Sequence, residues 1–199
     1  MAVKLMSNKE HTLLLIAGKT ASGKDSLVNK LCERTGLTSI TSYTTRPRRE
    51  NEGDTHIFTT EDIYEQMLVE GKIAAHTQIS GYHYWTTTDQ LYENDIYIID
   101  YKGIQTLRML DLPDIRFVTV FVNVPDEIRE ERALKKRKDD KFVFRKRSLD
   151  EAAQFREMLK NADFDYSVSN IELPKAYAVL RLISDVEGCW KNHKEDTTE

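Results

Sequence analysis

The chain holds only two cysteines, Cys32 and Cys189, in 199 residues. Two thiols cannot build a disulfide framework, so a reducing cytoplasm is the default setting. Cys32 falls on the apolar side of a helical pattern, as a small core residue would. Long apolar runs are missing too. Ile96-Tyr97-Ile98-Ile99 is typical of the longest, far below the roughly 20 residues a membrane-spanning helix needs. The start, Met1-Ala2-Val3-Lys4-Leu5-Met6, lacks the apolar stretch of a secretory signal. Neither an internal repeat nor a low-complexity linker is visible. The histidines, His11, His56, His76, His83 and His193, show no paired metal-ligand spacing. No serine sits in a nucleophile-elbow pattern, which removes support for a hydrolytic triad. An excess of positive charge is also absent. Lys and Arg number 29 against 33 Asp and Glu, a net charge of −4. This mild acidity argues against nucleic acid or a membrane surface as partner.

What remains is the composition of a globular domain, 40% hydrophobic and 31% charged. Strand-like apolar runs alternate with helical patterns from Thr12 onward. That alternation predicts an α/β fold with a parallel sheet covered on both faces. One segment breaks it. After a short strand over 39–43 come a basic turn-rich stretch, a strand at 56–58, a helix to about Glu70, and a hairpin over 72–79 and 82–86 across Ser80-Gly81. This segment reads as an inserted lobe. The expected layout is therefore one domain over 1–199. Its core is 11–43 and 95–190, with a lobe at about 44–86, a basic lid at about 135–147 and a polar tail at 191–199.

The most informative stretch is Gly18-Lys19-Thr20-Ala21-Ser22-Gly23-Lys24, which matches the phosphate-loop pattern. It follows a strand-like run, Thr12 to Ala17, and precedes a helical pattern through Leu27 and Leu31. Such a loop curls so that successive N–H groups point inward at the start of a helix. Lys24 adds a mobile full charge for β- and γ-phosphates, so the expected ligand is a nucleoside triphosphate. Position 25 normally carries the hydroxyl that binds Mg²⁺. Here it is Asp25, which can hold Mg²⁺ directly or through water, and the hydroxyl comes one residue later at Ser26.

Three further clusters can carry chemistry. Arg46, Arg48 and Arg49 lie within four residues around Pro47, with Tyr84 beyond, and guanidinium forks suit a second phosphate. Asp100 ends an apolar strand, where open α/β sheets gather ligands. It can also simply cap the next helix. A charged helix end and basic loop, Arg132 to Arg147, can supply cations around a migrating phosphoryl group. Arg132, Arg137 and Arg147 are the candidates there.

Taken together, the phosphate loop, Ser42-Tyr43-Thr44-Thr45-Arg46-Pro47-Arg48-Arg49-Glu50 with Gly53 and Phe58, Ser80-Gly81-Tyr82-His83-Tyr84, Asp100 with Gly103, and Phe164 to Asn170 resemble guanylate kinases in order and spacing. The resemblance covers roughly Leu13 to Ile183. It implies a phosphate-loop core, a nucleoside-monophosphate lobe and a mobile lid. It implies ATP as donor, with Mg²⁺ carried by it, and a monophosphate, GMP first, as acceptor. Ser42, Arg46, Arg48, Glu50, His56, Tyr84 and Thr86 would hold the acceptor. Asp100 would lie between acceptor and metal. Gly18, Thr20, Ala21, Ser22, Gly23, Lys24, Asp25 and Ser26 would hold the triphosphate. Arg132 or Arg137, with Arg147, would be lid arginines, and Asn170 would lie near the adenine.

The chain departs from the family pattern at several points. The base-reading glutamate of the family falls on Ala75, which cannot accept the N1–H and N2–H₂ donors of guanine. A tyrosine that helps grip the acceptor phosphate falls on His56, and the loop from Arg46 to Glu50 is short. Another monophosphate, or a phosphorylated small molecule, is the alternative acceptor. A guanylate-kinase-like module that binds phosphorylated protein segments is a different class of reading, against which intact Gly23 and Lys24 weigh. Monomer and homodimer both remain open.

Overall fold

The structure is a computed structural model and describes residues 11–48, 53–79 and 81–189. In chain order the elements are β1 (His11–Ala17), α1 (Lys24–Thr35), β2 (Tyr43–Thr44), β3 (Ile57–Phe58), α2 (Glu61–Val69), β4 (Ile73–Ile79), β5 (Tyr82–Thr87) and α3 (Thr88–Glu93). They continue as β6 (Ile96–Ile98), α4 (Tyr101–Arg108), β7 (Ile115–Asn123), α5 (Asp126–Glu131), a π-helical turn (Arg132–Lys136), α6 (Lys141–Asn161), β8 (Tyr166–Ser169) and α7 (Leu173–Val186).

The central sheet is parallel throughout, in the order β6-β1-β7-β8. Strands buried on both faces need apolar residues at nearly every position, and Leu13, Leu14, Leu15 and Ile16 are fully buried. Side chains alternate between the faces. Leu13, Leu15, Tyr97 and Phe121 meet Ile104 and Leu107 of α4 and Phe155 and Met158 of α6. Leu14, Ile16, Val118 and Val120 meet Leu27, Val28 and Leu31 of α1 and Leu180 and Ile183 of α7. Burying such aliphatic side chains contributes about 1.5–3 kcal/mol each, so the two layers hold the sheet rigid beneath its loops. The fold is the α/β phosphate-loop architecture expected from the sequence. Among the described residues no helix is long and apolar enough to cross a membrane.

A second, smaller sheet, β3-β2-β5-β4, builds the inserted lobe. The β4–β5 hairpin is antiparallel, and Gly81 takes a left-handed φ of 86° at its turn. α2 covers its outer face, where Tyr64 meets a fully buried Trp85 and Trp85 Nε1 donates to Met67 Sδ at 3.3 Å. Three local expectations change. The strand over 39–43 shrinks to one bridge, Ser39 to Ile96, and pairing moves to Tyr43–Thr44. A helix at Thr88–Glu93, closed by a Thr87–Gln90 capping box, sits where none was expected. The charged helix end and basic loop over Arg132 to Arg147 resolve into the π-helical turn and, from Lys141, the first turns of α6.

The outer face of the lobe carries a histidine pair. His76 and His83 stack with ring centroids 4.9 Å apart, and Tyr64 stacks on His83 at 4.0 Å. His83 Nε2 lies 2.9 Å from Glu61 Oε1. Burial, reinforced by the neighbouring His83, holds His76 below its ordinary pKa of 6.5. The unfolded chain then takes up this proton first as pH falls. The His76 contribution to stability is full above pH 6.5 and is lost as pH drops through the lower folded value. Melting temperature should therefore fall more steeply between about pH 7 and pH 5 in the parent than in His76→Gln. Parallel slopes in a calorimetric pH series would remove this assignment.

Candidate active site

The carboxyl ends of β1, β6, β7 and β8 converge, as ligand sites in open α/β sheets do. After β1 the chain turns through residues 18–23 into α1. Gly18 is packed so tightly that an added Cβ would lie 2.8 Å from the Val122 carbonyl oxygen and 2.9 Å from Ser22 Oγ. Gly23 caps α1 with φ 77°, and Ala21 also takes a left-handed φ of 59°. Such a turn directs backbone N–H groups into its own concavity.

The loop keeps this shape because its carbonyls are tied behind it. Arg129 of α5, only 2% exposed, donates from Nη1 to the Thr20 oxygen at 2.9 Å and from Nη2 to Asp126 Oδ1 at 2.7 Å. The Arg129 hydrogen bond, with Lys19 nearby, holds the Asp126 carboxyl below its usual range. Asn170, beyond β8, donates Nδ2 to the Ser22 oxygen at 2.8 Å. Arg132 reaches the same oxygen at 3.3 Å and binds the Asn170 and Ile171 oxygens at 2.7 and 3.0 Å. Ser22 is fully buried, and its Oγ has no partner among the described residues. On the front, Thr20 N–H donates to Glu151 Oε2 of α6 at 2.6 Å. Ala21 packs with Ala133 and Phe144 in a small apolar cluster. Lys24 opens α1 and makes no ion pair among the described residues. Asp25 and Ser26 stand exposed on the first helical turn.

Across the cleft, Arg46, Pro47, Arg48, Ile79, Tyr82, Tyr84 and Arg147 line a cavity of about 390 Å³. Arg46 is 8% exposed, and its Nε donates to Tyr84 Oη at 3.0 Å. Arg46 and Arg48 lie over the Phe58 ring at 5.4 and 4.4 Å. Arg48 also pairs with Asp54 at 3.0 Å. Ser42 Oγ lies 3.0 Å from His56 Nδ1, and His56 meets Tyr84 edge-on. Arg147 comes from α6, so the small-sheet lobe and α6 supply one cationic cavity.

Residues 10–185 match the family model described as guanylate kinase. The chain belongs to the guanylate kinase family. It is 31% identical over 186 residues to a guanylate kinase of Syntrophotalea carbinolica, covering 89% of this chain and 86% of the relative. A Legionella pneumophila guanylate kinase is 30% identical over 192 residues, covering 90% and 88% of the two chains. In fold, the chain resembles the crystal structure of guanylate kinase from Anaplasma phagocytophilum, with TM-score 0.63, 22% identity and coverage of 89% and 86%. The family is one of phosphotransferases.

Several expected site residues take on different work. Arg132 is not a free lid arginine: its guanidinium is spent on the Ser22, Asn170 and Ile171 carbonyls. Arg137 is turned to Asp139 within the lid. Asp100 caps α4, accepting from Gly103 N at 2.8 Å, and it receives Thr77 Oγ1 at 3.3 Å. Thr86 is fully buried and gives its hydroxyl to Gln90 Oε1 at 2.8 Å. Glu50 lies outside the described residues. Arg129 and Glu151 were not singled out from sequence, because both sit in charged runs that read as solvated helix faces.

The packing around Gly18 makes a direct prediction. Gly18→Ala must push its methyl against a backbone oxygen, a cost of about 1–3 kcal/mol. The variant should melt lower and lose triphosphate binding together, measured by calorimetry with and without ATP. Unchanged ATP affinity would show that the loop tolerates a wider turn.

Proposed function

We propose that this chain moves the γ-phosphoryl group of Mg-ATP onto a nucleoside monophosphate, GMP foremost, giving ADP and GDP. The observation that carries this reading is Arg147. It lines the Arg46–Arg48–Tyr84 cavity from the same helix whose Phe144 and Glu151 touch the phosphate loop. α6 would thus contribute to both phosphate places.

The residues divide the work by chemistry. Loop N–H groups and Lys24 hold the donor phosphates. Arg46 and Arg48 fork onto the acceptor phosphate, with Tyr84 orienting Arg46. An acceptor phosphate oxygen bonds to the γ-phosphorus as the bond to the β–γ bridging oxygen breaks, and ADP departs with that oxygen. No enzyme-bound intermediate is required. Lys24, Arg46 and Arg147 stabilise the charge that spreads over the moving group, and Arg137 joins them on leaving Asp139. Mg²⁺ enters with ATP as part of the substrate. Asp25 offers it a hard oxygen donor beside Lys24, and Asn170 supports the loop from behind through the Ser22 carbonyl. Asp100 adds negative charge beside the acceptor face. The two free thiols and the absence of a membrane-spanning helix among the described residues suit work in the cytoplasm.

Base choice is the finer question. Ala75 is 3% exposed and pairs across the hairpin with Thr86. It shares a face with Thr77, opposite Tyr84. No carboxylate there meets the guanine donors, and an unpaired buried polar group costs roughly 1–3 kcal/mol. This favours a second reading in which a different monophosphate, or a phosphorylated small molecule, is the better acceptor.

A panel of monophosphates with Mg-ATP, resolved by nucleotide chromatography, tests the reaction. ADP should appear only with an acceptor; ATP left intact with every acceptor would refute it. Lys24→Ala should cut turnover by at least about a hundredfold while acceptor binding stays within a few-fold. Near-normal turnover would remove the donor-loop assignment. Arg46→Lys keeps the charge but loses the fork, and should raise the acceptor KM about tenfold. Ala75→Glu should improve kcat/KM for GMP about tenfold over other monophosphates. An enzyme already selective for GMP and unimproved by that change would place guanine reading elsewhere.

A further inference from the structure

Glu151 is an acidic side chain lodged where an anion is expected from outside. Its Oε2 accepts the Thr20 N–H at 2.6 Å, at the short end for such a bond, and Thr20 is 7% exposed. The other side of Thr20 is fixed, since its carbonyl is held by the buried Arg129. The contact is therefore a bond between a fixed loop and a side chain of α6. The helix face involved is continuous. Phe144, Ser148 and Glu151 recur at helical spacing. Phe144 packs on Ala21 of the loop. Ser148 lines the α5–α6 cavity with Arg129 and Phe144, and its Oγ has no partner in the structure. One turn before Glu151, Arg147 reaches the acceptor cavity.

We infer that Glu151 is an internal stand-in for a donor phosphate oxygen, latching α6 onto the phosphate loop until a triphosphate displaces it. This rests on the donor-site reading above. The physical case is competition for one N–H. A carboxylate carries a single charge, and a triphosphate carries several and engages more of the loop. The triphosphate therefore wins, but only after breaking the Glu151 bond. The bond thus lowers donor affinity by the weight of one charge-assisted hydrogen bond. It also ties α6, and with it Arg147, to the state of the donor loop. Displaced from Thr20, the Glu151 side chain can swing away while α6 keeps its apolar seats through Phe144, Phe155 and Met158.

The test uses the full chain and two variants, Glu151→Ala and the isosteric Glu151→Gln. Each is titrated with inorganic tripolyphosphate and with ATP by calorimetry, without an acceptor. Both variants should bind both probes on the order of tenfold more tightly than the parent. In ¹⁵N-labelled protein the Thr20 amide should sit downfield in the parent, and should move in either variant and on adding tripolyphosphate. If Glu151→Ala fails to fold, Glu151→Gln carries both readouts. Equal or weaker binding by the variants, with the parent binding ATP normally, would overturn the latch while leaving the donor site standing. Absence of triphosphate binding in every protein would overturn the donor-site reading and the latch together.

Discussion

The buried guanidinium of Arg129 on the Thr20 carbonyl is the bond on which the site depends. A phosphate loop must keep its N–H groups aimed at a common centre, and a free strand-to-helix turn has no reason to do so. Here the carbonyl side is anchored instead. Arg129 takes Thr20, while Asn170 and Arg132 share Ser22. These anchors come from α5, the π-helical turn and the end of β8, which are adjacent only because the parallel sheet sets β1, β7 and β8 side by side. Core packing and anion binding are thus one construction. Removing Arg129 would leave the Thr20 carbonyl without that partner, a cost of about 1–3 kcal/mol.

The same logic explains why α6 matters beyond its length. It begins with the Asp140 cap, seats Phe144 against the loop, sends Arg147 toward the lobe and places Glu151 on Thr20. One helix therefore touches both the loop after β1 and the arginine cavity. The lobe meets it with a rigid surface. Tyr43 stacks on Trp85 at 5.4 Å, and Tyr84 projects from that same hairpin to hold Arg46. A cationic pocket of this kind gains strength from being preorganised, because its dipoles need no rearrangement as charge moves.

Much of this was legible in the residues themselves. The Gly18-to-Lys24 pattern sits between a strand-like run and a helical one, which fixed both its conformation and its chemistry. The fully apolar β1 announced a strand covered on both faces. Arg46-Pro47-Arg48 and Tyr84 suggest a phosphate cluster only beside the phosphate loop, since a basic run on its own is usually a solvated loop, and the structure brings these residues to one cavity. What escaped notice depended on distant partners. Arg129 looks like any charged residue of a surface helix until Thr20 is placed against it. Arg132 looks like a lid arginine until β8 brings Asn170 beside it. The α3 helix was hidden because Thr86, Thr87 and Thr88 favour strand, and the Thr87–Gln90 capping box overrides that preference. Asp100 was open to two readings, and the cap of α4 is the one seen in its hydrogen bonds.

The central claim is that the loop at β1 and the arginine cavity of the lobe hold two phosphates at once, with α6 contributing to both places. Titration with a dinucleoside pentaphosphate, adenosine and guanosine joined through five phosphates, tests it most directly. If both sites are engaged at once, the linked ligand binds at least a hundredfold more tightly than ATP alone, and Lys24→Ala and Arg46→Lys each abolish most of that gain. A linked ligand that binds no better than ATP would contradict the account.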